Sequence, residues 1–80
     1  MSEALGKWMR VQEETPAGHR TTKVWRVLGS DASTLGEIRW YPHWRQYTFW
    51  PNARAILNAT CLADLAAFAK KQTDEHRPSA

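Results

Sequence analysis

One stretch, Leu35 to Pro51 (LGEIRWYPHWRQYTFWP), constrains the fold of this chain more than any other. Apolar and polar residues alternate on either side of Tyr41-Pro42-His43-Trp44, and a period of two around a proline turn is the pattern of a β-hairpin. The stretch holds Trp40, Trp44 and Trp50, both tyrosines and Phe49. If Pro42 and His43 form a two-residue loop, Trp40 faces Arg45, Ile38 faces Tyr47 and Gly36 faces Phe49. Tyr41/Trp44, Arg39/Gln46, Glu37/Thr48 and Leu35/Trp50 then pair on the opposite side.

This register predicts a core face of Ile38, Trp40, Tyr47 and Phe49, with Gly36 leaving room for the Phe49 ring. The second face is polar at its centre (Glu37, Arg39, Gln46, Thr48) and rimmed by Tyr41, Trp44, Trp50 and Leu35. Such a face suits solvent, and it also suits a binding partner. Pro-His is a poor primed turn, so a four-residue loop is the alternative, read as leaving the pairing outside the turn unchanged. A slip of one residue would swap the faces of one strand.

Val24, Trp25, Val27 and Leu28 favour β structure and mark a strand over 23–28. A small polar turn, 29–34, feeds it into the hairpin. Lys7 to Gln12 alternates weakly and offers an edge strand with Met9 and Val11 on one side, Trp8 and Arg10 on the other. Residues 13–22, with Pro16 and Gly18, read as a loop. Pro51 ends the third strand because it has no amide hydrogen to donate.

Asn58 or Thr60 then caps a helix running from Ala59 to about Lys71. Leu62, Leu65, Ala66, Phe68 and Ala69 recur on one side, beside Cys61. The expected fold is α+β: a three-stranded antiparallel meander (23–28, 35–41, 44–50), open to a fourth N-terminal strand. The helix lays Leu62, Leu65 and Phe68 on the Ile38/Trp40/Tyr47/Phe49 face. The reading is a single domain over 1–80, with 1–6 and 72–80 as flexible tails.

Eighty residues bury only about 60–65% of the unfolded surface, so the aromatic rings must supply much of the core. One cysteine allows no internal disulfide, which fits a reducing cytosol. Residues 1–20 hold no apolar run of a secretory signal, and no stretch approaches the ~20 apolar residues of a membrane span. The formal charge is +3. After residue 54 Lys70, Lys71 and Arg77 balance Asp64, Asp74 and Glu75, so the basic excess sits on the strand region.

Chemistry-bearing groups are sparse. Cys61 with a histidine as base is a candidate nucleophile, but His19, His43 and His76 fall in a loop, a turn and a tail, and a core-packing cysteine is the ordinary reading. One cysteine and three scattered histidines make no metal-ligand set. Glu13-Glu14 and Asp74-Glu75 are adjacent pairs outside the predicted elements, and no glycine-rich phosphate loop follows a strand. No cofactor or metal is expected.

The positive signal is aromatic and basic residues interleaved: Arg39, Trp40, Tyr41, His43, Trp44 and Arg45, with Arg26 on the next strand. Such a sheet can stack bases and contact phosphates of single-stranded nucleic acid. The bland reading places Trp40 in the core and stacks Trp44 on Arg45 to close the turn. Trp, Tyr and Arg also anchor protein interfaces, including a homodimer.

The run Leu35-Gly36-Glu37-Ile38-Arg39-Trp40-Tyr41, then Trp44-Arg45-Gln46-Tyr47, Phe49 and Pro51, then Cys61-Leu62 with Leu65-Ala66 and Phe68, resembles a family of short uncharacterised proteins of bacterial genomes and their phages. The resemblance covers 23–69 and transfers no catalytic residue. What it implies is context: a small protein of the mobile gene pool, acting in the host cytosol. Short phage inhibitors of bacterial defence, anti-CRISPR proteins among them, are similar in size and in lacking motifs. The expected function is therefore non-enzymatic docking on a host protein complex, one that handles nucleic acid. The expected contacts are Arg39, Tyr41, Trp44, Arg45 and Trp50. Direct nucleic-acid binding by the same face is the alternative.

Overall fold

The structure, a computed structural model, describes residues 2–14 and 22–76. Five strands form one antiparallel sheet in sequence order: β1 (Ser2–Leu5), β2 (Met9–Glu13), β3 (Val24–Gly29), β4 (Thr34–Tyr41) and β5 (Gln46–Pro51). One helix, α1 (Ala59–His76), packs on one face. The α+β class agrees with the sequence reading, and the strand count is higher.

The segment read as frayed, 1–6, instead supplies β1, which pairs with β2 as Glu3↔Val11 and Leu5↔Met9. Leu5 is buried in the core. For residues 7–12 the sequence leaves an edge strand open. Here Trp8 belongs to the β1–β2 turn and is exposed, while Met9 and Val11 face the core as expected. Most of the loop placed at 13–22 lies outside the described residues.

The β4–β5 hairpin has the two faces the sequence predicts but a different register. Pro42 to Arg45 form a four-residue loop, closed by Trp44 N–H donating to the Tyr41 carbonyl (3.2 Å) and Arg45 N–H to the Pro42 carbonyl (3.3 Å). The pairs are therefore Tyr41↔Gln46, Trp40↔Tyr47, Arg39↔Thr48, Ile38↔Phe49 and Glu37↔Trp50. A longer loop does not leave the pairing unchanged. It slides it by two residues, and because two is the period of a strand, every side chain keeps its face.

Leu35 is the exception. The β3–β4 register breaks after Val27↔Gly36, so that Leu28 pairs with Thr34 and Leu35 is the extra residue of a bulge. That turns Leu35 from the second face to the core cluster. Asn52 fastens the bulge: its N–H donates to the Leu35 carbonyl (2.8 Å) and its side-chain amide to the Thr34 carbonyl (2.9 Å). In the β3–β4 turn Ala32 stands at φ +68°. Ser33 donates from its N–H and hydroxyl to Asp31 Oδ1 (3.1 and 2.6 Å). Those bonds hold the Asp31 carboxyl below its usual range.

The core lies between the sheet and α1. Trp25 is its central ring, edge-on to Tyr47 (5.3 Å) and Phe68 (5.2 Å), over fully buried Val27, Ile38 and Val11. Asn58 caps the helix, accepting the Cys61 N–H at 2.8 Å. The buried helix positions are Cys61, Leu65, Phe68 and Thr73. Leu62, expected in the core stripe, is 53% exposed. The helix also runs past Lys71 to His76, so 72–76 are helical rather than tail; 77–80 lie outside the described residues.

That last turn is tied to the sheet. Thr73 Oγ1 accepts the Tyr47 N–H (2.9 Å) and donates to the Ala69 carbonyl (2.8 Å). His76 lies against Trp40, with ring centres 4.4 Å apart. Thr73→Val should leave the Tyr47 amide buried and unpaired and cost about 1–3 kcal/mol, read as a lower urea midpoint. Ala32→Gly should move the other way by about 1 kcal/mol, since glycine carries no Cβ penalty at positive φ.

Candidate functional site: an aromatic cluster on the uncovered sheet face

Alternation sends Arg10, Gln12, Arg26, Glu37, Arg39, Tyr41, Thr48 and Trp50 to the face opposite α1. Among the described residues no element covers that face. It bears three arginines, each on a different strand. Arg26 is ion-paired to Glu14 (2.7 Å) and Arg39 to Glu37 (3.2 Å).

Four of the five residues singled out in the sequence come together at one corner. The Arg39 guanidinium lies over the Trp50 ring, 4.7 Å from its centre. Tyr41 meets Trp44 at 4.9 Å and 85°, and Trp50 at 5.9 Å and 69°. The His43 ring is 5.3 Å from Tyr41. Trp44 is 64% and Trp50 41% exposed. The fifth residue, Arg45, is exposed in the turn beside Trp44, with its backbone at φ +53°. The cation stacked on Trp50 is Arg39, a cross-strand partnership that linear spacing does not reveal. Trp40, grouped with these residues in the sequence, lies on the core face, edge-on to Tyr47 (5.2 Å).

The register explains the arrangement. Trp50 stands opposite Glu37, two residues from both Arg39 and Thr48. Its indole meets the Tyr41 ring, and the Arg39 guanidinium lies over it. Tyr41, Trp44, Thr48, Phe49 and Trp50 line a recess of about 270 Å³. A second recess, about 380 Å³, lies on the helix side of β5 between Phe49 and the Leu62 and Ala66 side chains. Sequence reasoning missed it because it placed Leu62 in the core.

Cys61 is buried and lines a third recess with Trp8, Asp31, Arg54 and Ile56; no described histidine lines it. No group of His, Cys, Asp or Glu that could hold a metal ion occurs among the described residues, and none of their helices is long and apolar enough to cross a membrane. Comparisons with protein-family models, with curated proteins and with solved structures return no match.

The Arg39–Trp50 contact should be measurable as a coupling. In a double-mutant cycle of Arg39→Ala with Trp50→Leu, the interaction should amount to about 0.5–1 kcal/mol by urea unfolding. A coupling of zero would mean that the stack is not held in solution.

Proposed function

We propose that this chain is a small non-enzymatic binding protein that docks on a protein complex through its uncovered sheet face, with Arg39, Tyr41, Trp44, Arg45 and Trp50 as principal contacts. The observation that carries the reading is the packing of the aromatic cluster. Rings that grip a base stand parallel, with an open slot between them. Here Tyr41 meets both Trp44 and Trp50 at steep angles, and Arg39 already occupies a face of Trp50. Such a cluster offers a shaped, partly apolar surface with a fixed guanidinium, the composition of a protein-interface anchor.

The resemblance to short phage and bacterial proteins suggests a partner in the host cytosol. An anti-CRISPR-like block of a nucleic-acid-handling defence complex is the form of action it suggests. Direct nucleic-acid binding is the second reading, favoured by Arg10, Arg26 and Arg39 sharing one face. Against it, Glu14 pairs with Arg26 and Glu37 with Arg39, and Glu37 would stand among the phosphates.

Arg39→Glu combined with Arg45→Glu should abolish capture of the partner from host lysate and leave the far-ultraviolet dichroism unchanged, because both side chains are exposed. Full capture by the double variant would end the proposal. Anisotropy with labelled oligo-dT and oligo-U should show no binding at low salt. Tight binding that weakens steeply with salt would put the second reading first.

A further inference from the structure

The third recess, about 510 Å³, is bordered by the β1–β2 turn, the β3–β4 turn and the start of α1, at the end of the strands away from the β4–β5 loop that carries Trp44. Its floor is apolar: Met9 and Cys61 are buried, and Leu35 packs on the core. Two of its walls are apolar as well but stand in solvent, Trp8 at 44% and Ile56 at 89% exposure. The Lys7 ammonium lies over the Trp8 ring, 5.4 Å from its centre. The volume is in the range of small-molecule sites.

Two groups of opposite charge, Asp31 and Arg54, also line it, and both are exposed. They do not pair with each other, and among the described residues neither forms an ion pair with any other group. Arg26, Arg39 and Lys70, by contrast, each have a carboxylate. Asp31 is held in place by Ser33, whose N–H and hydroxyl both donate to Oδ1. Those bonds favour the ionised carboxyl. Over Gly29 that oxygen converges with Ser33 Oγ and Leu35 Cδ1: a Cβ on the glycine would stand 3.1, 3.4 and 3.8 Å from the three atoms. The carboxylate therefore borders the apolar floor, with Oδ2 left over for a donor. The Arg54 guanidinium has no acceptor among the described residues.

A wholly anionic ligand here would meet the Asp31 carboxylate, and a wholly cationic one the Arg54 guanidinium. An uncharged apolar ligand would desolvate both without pairing either. A ligand with both charges and an apolar body satisfies all three features at once. We propose that this recess binds a free α-amino acid with a large apolar side chain. Its carboxylate is taken by Arg54 and its ammonium by Asp31 Oδ2, while its side chain lies against Trp8 over Met9 and Leu35. The site is separate from the aromatic cluster, and the proposal does not depend on the docking reading.

The test follows the Trp8 indole N–H of the whole protein by nitrogen-15 NMR during titration with L-leucine and with L-phenylalanine. Glycine, the N-acetyl forms and the carboxamides of the two amino acids are the comparisons. The expected result is a saturable shift with the two free amino acids. Binding should be at least about tenfold weaker for glycine, which lacks the apolar body, for the carboxamides, which lack the anion, and for the N-acetyl forms, which lack the cation. Arg54→Gln should remove the preference for acid over carboxamide, and Asp31→Asn the preference for free amine over N-acetyl form. Asparagine keeps an oxygen for the two Ser33 bonds and Arg54 is exposed, so both variants retain the fold, which dichroism checks. No saturable shift up to about 10 mM ligand, glycine bound as tightly as leucine, acid and carboxamide bound alike by the unaltered protein, or charge preferences that survive both substitutions would each overturn the proposal.

Discussion

The hydrogen bond from Tyr47 N–H to Thr73 Oγ1 decides how the helix sits, and most of the molecule follows from it. The amide belongs to an edge strand, where outward donors ordinarily go to water or to another chain. Taking it up with a helix side chain draws the last turns of α1 over the margin of β5. The same residue holds the interior together. Its ring packs edge-on against Trp25 and Trp40, and its hydroxyl accepts the Lys23 N–H at 3.1 Å. Three strands and the helix therefore meet at one residue.

Among the described residues that anchorage leaves the sheet covered on one face only. They hold one helix, and the Trp25–Phe68 contact commits it to the core side. The opposite face must then be compatible with water along its centre, which the Arg26–Glu14 and Arg39–Glu37 pairs achieve. Exposed pairs of this kind contribute little to stability. Their consequence is placement: Arg39 stands between a carboxylate and an indole.

The parts of this arrangement that could be read from the sequence are those governed by parity. Ile38, Trp40, Tyr47 and Phe49 share a face whatever even shift the hairpin takes, so the core face was legible although the loop length was not. The four-residue loop depends on Arg45 adopting a left-handed backbone, for which arginine gives no local signal. Leu62 failed for a related reason. Leu65 and Ala69 keep helical spacing with Leu62 as well as Leu65 and Phe68 do with Cys61, and only the contact of Phe68 with Trp25 selects the second set. β1 is short and has no β-branched residue, so its strand state comes from pairing with β2. The helix end at Gln72 to His76 is polar enough to resemble a tail. Its order comes from Thr73 and from His76 against Trp40, both long-range. At the candidate site, Tyr41, Trp44 and Trp50 were visible as a group. The stack of Arg39 on Trp50 was not, because it rests on the register.

An exposed tryptophan alone needs no explanation, since much of any protein surface is apolar. The corner at Trp44 and Trp50 differs because its rings are held. Tyr41 braces Trp44 and Trp50 from one side, Arg39 braces Trp50 from another, and Glu37 braces Arg39. Immobilising a flexible side chain at an interface costs about 0.5–1.5 kcal/mol. A cluster already fixed in the free protein has met that cost during folding, where the same contacts offset it. An affinity that would otherwise be spent on ordering these side chains is then available for the partner. The features that contribute least to the stability of the sheet, its surface ion pair and its perpendicular rings, are thus the ones that make the uncovered face suited to recognition.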